Sequence, residues 1–187
     1  MTLTASALTS HLDASQLRTA YGAFPSGVVA VAAQVNGQLT GIAASSFTSI
    51  SLDPPLVSFS VATTSNTWPV LRDAHHIGVS VLADHHDHVC RQLAGPVEQR
   101  FAGLPFRSTV DGAVLLDEAV ATFECSIHQE IEAGDHLIVV LDLHRVADGG
   151  GSTPLVFHRS GFKKLHVDDL DPSRLDGRIN GKPVEDD

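Results

Sequence analysis

Three short segments of the chain combine residue types that could bind an anionic or carbonyl-containing ligand. Residues 41–49 (GIAASSFTS) would let a ligand approach the backbone, and their hydroxyl and N–H groups can donate hydrogen bonds. Residues 63–67 (TTSNT) enter a predicted short helix at Trp68, where unpaired N–H groups and the helix dipole favour anions. The turn at residues 134–136 (GDH) presents a histidine that could bind substrate or relay a proton near neutral pH.

Each of these segments also has a purely structural interpretation. Residues 41–49 can be an ordinary junction between a strand and a loop. Asn66 or Thr67 can simply cap the helix that follows, and His136 can be an exposed turn residue. The spacing of the residues leaves these alternatives open.

The histidines are the next candidates, because several lie close together in sequence. His75 and His76 precede the run at His85, His86 and His88. On a helix, the first and last members of that run could share a face. No Cys or Glu pattern completes a known ligand set, so the sequence favours a solvated surface over a structural metal site. No metal ligands are predicted.

Composition excludes several classes of partner. The chain of 187 residues has 12 Lys and Arg against 22 Asp and Glu, a formal charge of −10. Such acidity disfavours nucleic acid and anionic membrane surfaces. No apolar run reaches the ~20 residues of a membrane-spanning helix, and the amino terminus lacks the features of a signal peptide. Cys90 and Cys125 fit buried thiols in a reducing compartment, and we expect a cytoplasmic protein.

Common enzyme motifs are absent from the sequence. It contains no G-x-S-x-G, Walker loop, H-E-x-x-H or G-x-G-x-x-G pattern. A nicotinamide cofactor, if one is used, is therefore not held on a Rossmann unit.

The elements that must position these segments are mostly short strands. The Asn36-Gly37 pair predicts a tight hairpin turn, and residues 97–118 are predicted to be rich in loops. Flexible residues 1–14 and an acidic extension at 168–187 would flank one domain at 15–167. Many short strands with a few helices indicate a small antiparallel barrel. Strands are predicted at 28–35, 38–44, 56–62, 77–82, 123–131, 136–146 and 155–157, and helices near residues 15–24, 68–73 and 84–93.

Taken in order, these features resemble the flavin reductase-like, FMN-binding split-barrel family. Its members include the NAD(P)H:flavin oxidoreductases of two-component flavin-dependent monooxygenases. The resemblance covers residues 15–166, nearly all of the predicted domain. It is carried by FPSGV (24–28), GIAASSFTSISLDPP (41–55), TSNTW (64–68), RFAG (100–103), GDH (134–136) and PLVFHRSGFKKL (154–165).

The resemblance implies a mainly β fold with short helices, built as a six-stranded antiparallel Greek-key split barrel, and a homodimer. It implies that NADH or NADPH reduces FMN or FAD by hydride transfer, and that a partner monooxygenase receives the reduced flavin. The absence of a recognisable Arg cluster for a 2′-phosphate favours NADH. Two alternatives are a split-barrel flavoprotein that keeps its flavin and acts on another substrate, and a flavin-binding module without enzymatic activity.

The resemblance also implies roles for individual residues. His136 would meet the nicotinamide as the catalytic residue, and Arg100 and Phe101 would close the flavin pocket. His158, where the family often has an aromatic residue, and Arg159 would lie near the pyridine nucleotide or the flavin edge. Ala44, Ser45, Ser46 and Thr48 would line the isoalloxazine, and Ser65, Asn66 and Thr67 would lie by the phosphate and ribityl chain. Further cofactor contacts are implied for Ala43, Phe47, Ser60, Ala62, Trp68 and Gly134.

Overall fold

A computed structural model describes residue 10 and residues 12–165, and the fold is mainly β with a few short helices. The helices are α1 (Ala14–Tyr21), α2 (Trp68–Leu71) and α3 (Asp87–Leu93). The strands are β1 (Ser26–Gly27), β2 (Val29–Val35), β3 (Gln38–Ala44), β4 (Thr48–Leu52), β5 (Pro55–Ala62), β6 (Ile77–Val81), β7 (Phe106–Ser108), β8 (Val114–Leu116), β9 (Ala121–Ala133), β10 (His136–Asp148), β11 (Leu155–His158) and β12 (Gly161–Lys164).

One antiparallel sheet of seven strands, in the order β3-β2-β6-β9-β10-β5-β4, forms the body of the protein. Its two edge strands, β3 and β4, are consecutive in the chain and joined by residues 45–47 alone. A flat sheet would separate those edges by roughly 29 Å, whereas the connection reaches about 14 Å. The sheet must therefore curl until its edges approach each other. The resemblance implied a barrel of six strands, but the structure has seven strands in this open sheet. Two smaller sheets, of three and two strands, accompany it.

The strand β2 separates two cores because its alternate residues point to opposite faces. Val29 and Val31 belong to a cluster inside the curled sheet, with Phe59 among its largest buried side chains. Val28, just before the strand, and Ala30 belong to a second cluster beneath α3 and β11. A strand buried on both faces explains why this segment is almost continuously apolar.

The predicted turns and long strands are confirmed. Asn36 and Gly37 both have positive φ, 51° and 79°, as a two-residue turn between β2 and β3 requires. The alternating segments at 123–131 and 136–146 form the hairpin of β9 and β10. Gly134 has φ of 67° in its turn.

Some strands have no clear signal in the sequence. Most of β4 is exposed at the sheet edge, so the alternation of polar and apolar residues from Ser49 to Leu52 does not mark a buried face. The loop-rich segment 97–118 contains the hairpin of β7 and β8. Gly78 on β6 allows that hairpin to pack, because a Cβ there would lie 2.0 Å from the carbonyl oxygen of Val114. These strands depend on tertiary packing rather than on local pattern.

Within the part of the chain that the structure describes, no residue of the amino-terminal helix α1 is fully buried. The Asp13 carboxylate caps it by accepting hydrogen bonds from the N–H groups of Ser15 and Gln16. Every residue of the helix is exposed or half-buried. Tyr21 is 69% exposed and Phe24, just beyond the helix, is 78% exposed.

Glu124 is a charged residue buried in the sheet, on β9, with 2% exposure. Its Oε1 accepts a hydrogen bond from His76 Nδ1 at 2.9 Å, and Oε2 accepts one from Arg145 Nη1 at 3.0 Å. Burial disfavours the charged form of this carboxyl group. The hydrogen bonds from His76 and Thr109, with the charge of Arg145, outweigh burial and hold its pKa below the usual value.

The two cysteines are both free, but their surroundings differ. Cys125 is buried, and burial raises the pKa of its thiol to about 12. Cys90 is only half-buried, although burial raises its pKa as well. Within residues 10 and 12–165, no helix is long and apolar enough to cross a membrane. The predicted acidic extension at 168–187 and most of the predicted flexible amino terminus lie outside the described residues.

Candidate functional site

Two clefts meet at Ser45 and Ser46, directly after β3. The smaller has a volume of about 390 Å³ and the larger about 760 Å³, within the size range of small-molecule sites. The smaller cleft is lined by Ile42, Ala43, Ala44, Ser45, Ser46, Ser60, Val61, Ala62, Ser65 and His136. The larger is lined by Arg18, Tyr21, Gly22, Phe24, Pro25, Ser26, Gly27, Ser45, Ser46, Phe47, Thr48, Phe157, Arg159 and Ser160.

The connection between the clefts is held by a side chain. Ser46 Oγ donates to the carbonyl oxygen of Ser60 at 3.1 Å and accepts from its N–H at 2.8 Å. The pairing of β4 with β5 begins at Thr48 and Ser58. The Ser46 hydroxyl therefore takes the place of the next strand residue, and residues 45–47 turn away from the sheet without leaving the backbone of Ser60 unpaired.

His136 stands at the end of the smaller cleft, as the first residue of β10 and opposite Ala62 on β5. Its Nδ1 lies 2.7 Å from Asp135 Oδ1, and its side chain is 46% exposed. The hydrogen bond and the charge of the imidazole lower the pKa of Asp135, so this carboxylate accepts the Nδ1 proton. Nε2 of His136 is then the ring nitrogen left to meet a ligand.

The turn that carries His136 is also tied to the segment after β5. The carbonyl oxygen of Asp135 accepts hydrogen bonds from the N–H of Thr63 at 3.0 Å and from its hydroxyl at 3.1 Å. The two loops at this end of the sheet therefore hold each other in place. This fixes the position of the backbone from which the His136 side chain extends.

The larger cleft brings together two arginines from distant parts of the sequence. Arg18 lies on α1, and Arg159 lies in the turn between β11 and β12, with φ of 49°. The Arg159 N–H donates to the carbonyl oxygen of Gly22 at 2.9 Å, which docks this turn onto the end of α1. Guanidinium groups suit phosphate ligands because they offer several fixed donors.

The segment at residues 63–67 is used mainly inside the protein. Ser65 Oγ accepts the N–H of Trp68, so Ser65 supplies the cap expected from Asn66 or Thr67. Thr67 is buried, and its hydroxyl accepts a hydrogen bond from Arg100 Nη1 at 2.6 Å. The only member of the segment that lines either cleft is Ser65.

Arg100 connects three segments behind the smaller cleft. Besides Thr67, its Nη1 donates to the carbonyl oxygen of Gly41 and its Nε to that of Gly95, both at 3.0 Å. Phe101 packs into the core beneath α3. A Cβ on Gly41 would lie 2.8 Å from the Phe101 ring, so this glycine allows the ring to lie against β3.

Several residues implied in cofactor binding lie outside both clefts. Trp68 is 3% exposed, and its Nε1 donates to Glu130 Oε1 at 2.7 Å. Its indole packs edge-on against Phe59, with ring centroids 5.5 Å apart. The residues outside the clefts are Asn66, Thr67, Trp68, Arg100, Phe101, Gly134 and His158, and those that line them are Ala43, Ala44, Ser45, Ser46, Phe47, Thr48, Ser60, Ala62, Ser65, His136 and Arg159.

The contribution of α1 to the larger cleft was not predicted from the sequence. Arg18 and Tyr21 are three residues apart on this helix and both line the larger cleft, with Phe157 and Ser160 from the other side. The detectable signal was that spacing, which places a cation and a phenol on one helix face.

The family of the chain follows from comparison with known proteins. A family described as flavin reductase like domain matches residues 21–166, which include every strand of the described part of the chain and every residue that lines the two clefts except Arg18. The chain belongs to this flavin reductase-like family.

Three relatives illustrate the range of the similarity. A flavin reductase of Pseudomonas putida is 36% identical over 154 residues, which cover 82% of this chain and 91% of that protein. The reductase component of a flavin-dependent trigonelline monooxygenase of Acinetobacter baylyi is 35% identical over 136 residues, covering 72% of this chain and 44% of that longer protein. Among solved structures, the NADH:FAD oxidoreductase SgcE6 of Streptomyces globisporus C-1027 has a TM-score of 0.81 at 30% identity, covering 88% of this chain and 99% of that one.

Proposed function

We propose that this protein is an NAD(P)H:flavin oxidoreductase that reduces FMN or FAD and supplies the reduced flavin to a partner monooxygenase. The observation that carries the proposal is the meeting of two clefts at Ser45 and Ser46, with His136 at the end of one cleft and two arginines in the other. The reductase names of the relatives support it.

The residues of the two clefts suit a flavin. Short side chains at Ala43 and Ala44 leave room against β3, and the Ser45 and Ser46 loop offers N–H groups and a hydroxyl to carbonyl oxygens and ring nitrogens. Ser45 and Ser46 are exposed, so a ligand held there can leave without a change of fold. That access suits a flavin that is exchanged rather than kept.

The positive charge of the larger cleft suits the phosphates of flavin and nicotinamide nucleotides. Arg18 and Arg159 provide it locally in a chain whose total formal charge is −10. Distant exposed carboxylates are largely screened beyond ~8–10 Å at physiological salt. Local donors therefore decide binding. In this proposal Arg100 acts by holding Thr67 and Gly41 in position.

His136 orients the nicotinamide in this proposal. Hydride passes from nicotinamide C4 to flavin N5 when both are bound, and that chemistry belongs to the cofactors. The protein needs no nucleophile, and its contribution is to hold the two rings in contact and keep a polar group at their edge. Asp135 fixes the tautomer of His136 and leaves Nε2 to bind the ligand.

Two further features of the protein are its assembly with a second copy and its location in the cell. We infer that the curled sheet is a split barrel of Greek-key form and that the protein acts as a cytoplasmic homodimer. The uncovered apolar side chains of Leu12, Tyr21 and Phe24, between 66% and 78% exposed, support a second copy packing near α1. Sedimentation velocity on the full chain should give the mass of two copies, and a single mass of one copy would refute the dimer.

Stopped-flow mixing of the purified protein with NADH and FMN tests the activity. We expect NADH oxidation well above the rate with free flavin, from a preparation that is colourless until flavin is added. A yellow protein that reduces and retains its flavin would instead indicate an enzyme acting on another substrate. Bound flavin that neither NADH nor NADPH reduces would indicate a binding module without activity.

A further inference from the structure

At the end of β10 remote from His136, three side chains from separate segments converge. His76 precedes β6, Asp111 lies in the loop between β7 and β8, and Glu124 lies on β9. One ligand atom from each lies within 4.8 Å of the other two. His76 Nδ1 is 2.9 Å from Glu124 Oε1 and 3.8 Å from Asp111 Oδ2. From these distances we propose that the three residues form a binding site for a divalent transition cation of the Zn²⁺ type.

The spacing of the three atoms suits such a cation. Bonds of about 2.1 Å to nitrogen and oxygen in a tetrahedral arrangement place the ligand atoms about 3.4 Å apart. The distances from His76 to its two carboxylate neighbours lie on either side of that value. Imidazole and carboxylate groups are common ligands for these cations. The side chain of Asp111 is 33% exposed, which leaves a path for the cation and for a water ligand.

The backbone holds the three residues in place before any cation binds. The N–H of His76 donates to the carbonyl oxygen of Asp111 at 3.2 Å, and the N–H of Gln34 donates to that of Gly112 at 2.8 Å. Glu124 pairs with Gly78 in the sheet, two residues after His76. Such a site needs little reorganisation to bind a metal.

Neighbouring groups fix the orientation of the ligands. The His76 ring is stacked between His75 and His144, with centroids 4.7 Å and 4.6 Å away. Arg145 Nη1 holds Oε2 of Glu124 and leaves Oε1 directed at His76. On binding, the cation would take the place of the proton on His76 Nδ1, which is released to solvent, and the ring would keep its other proton on Nε2. These surrounding contacts are those that tune metal affinity in proteins.

The site is separate from the proposed reductase site. Eight residues of β10 lie between His136 and Arg145, which places the cluster roughly 25–30 Å away along the strand. A second group of possible ligands, at His85, His86 and Glu118, is less suitable. There the side chains of His85 and Glu118 are 46% and 74% exposed, so they are less fixed in position than those of His76 and Glu124.

Calorimetric titration of the chelator-treated full chain with Zn²⁺ tests the proposal. We expect one Zn²⁺ ion to bind tightly per chain. Its binding should also raise the midpoint of thermal unfolding. Asp111→Asn and His76→Gln should each weaken that binding by about tenfold or more. Circular dichroism identifies a variant that fails to fold. If one variant fails to fold, the Zn²⁺ affinity of the other variant tests the proposal.

The double variant His85→Gln/Glu118→Gln is the matched control, because it removes ligands from the second group only. It should keep the tightly bound ion. Unchanged Zn²⁺ affinity in both Asp111→Asn and His76→Gln, or loss of that ion in the control, would overturn the proposal and indicate adventitious binding by exposed histidines. The readouts do not involve flavin reduction, so they are independent of the proposed reductase activity.

Discussion

The hydroxyl of Ser46 holds both backbone polar groups of Ser60, and through them fixes the loop at which the two clefts meet. The two residues are 14 positions apart. This relationship makes Ser46 a positioning residue for the cleft as well as a part of its lining.

Ser46→Ala should weaken flavin binding and stability together. Loss of the hydroxyl removes two hydrogen bonds at an exposed position, which costs about 1 kcal/mol of unfolding free energy. The loop is then less ordered, and we expect KM for flavin to rise about tenfold or less, with a smaller change in kcat. Steady-state kinetics and urea unfolding measure the two effects. Ser49→Ala, on exposed β4 and outside the clefts, should change neither quantity.

His136→Ala should raise KM for NADH and lower kcat/KM by about two- to tenfold, because a hydrogen bond to the uncharged nicotinamide contributes about 0.5–1.5 kcal/mol. Asp135→Asn should cause a smaller loss, since it removes only the group that fixes the tautomer. Rates at saturating and limiting NADH separate the two parameters. Unchanged KM and kcat in His136→Ala would refute its assigned role.

Arg18→Gln should weaken nucleotide binding because it removes a cation from the larger cleft. We expect an increase in KM for FAD or NAD(P)H of about tenfold, and a weaker dependence of KM on salt than in the unaltered protein. Arg91→Gln is the control of equal charge. Arg91 is paired with Asp87 at 3.0 Å on α3, outside both clefts. Equal effects of the two substitutions would mean that net charge matters, rather than the cleft.

Stability should fall as the pH drops below about 6.5, partly because of His86. Burial, followed by the charges of His85 and His88, lowers its pKa below the usual 6.5 of a histidine. The unfolded chain therefore takes up a proton at a pH where the folded protein does not, and the folded state loses stability as the pH falls through that interval. Urea unfolding at pH 7.5, 6.5 and 5.5 measures the slope.

His86→Gln should reduce that pH dependence, because the amide does not titrate. The Gln oxygen can still accept the N–H of Ala83, which limits the loss of stability at pH 7.5. His128→Gln is the control, since this side chain is exposed on β9 and is not among the groups that shift the pKa of His86. A slope between pH 7.5 and 5.5 that is the same in His86→Gln as in the unaltered protein would contradict the assignment to His86.

Local sequence pattern determined much of the fold. The Asn36-Gly37 turn, the long β9–β10 hairpin and the start of α1 next to Asp13 all follow from short-range preferences. The small and hydroxyl residues at 41–49 also marked the segment at which the clefts meet. These features were predictable because each depends on the conformations and hydrogen bonds of neighbouring residues.

Tertiary structure alone decided which side chains share a cleft. It also decided which polar side chains are hydrogen-bonded to other residues of the protein and so do not face a cleft. Arg18 and Arg159 are 141 positions apart and meet only because a turn docks on α1. Thr67 has the same kind of side chain as Ser46, yet Arg100 engages it. Hydrogen bonds between distant residues depend on how the sheet curls and packs, and that outcome is set by the whole core rather than by any local segment.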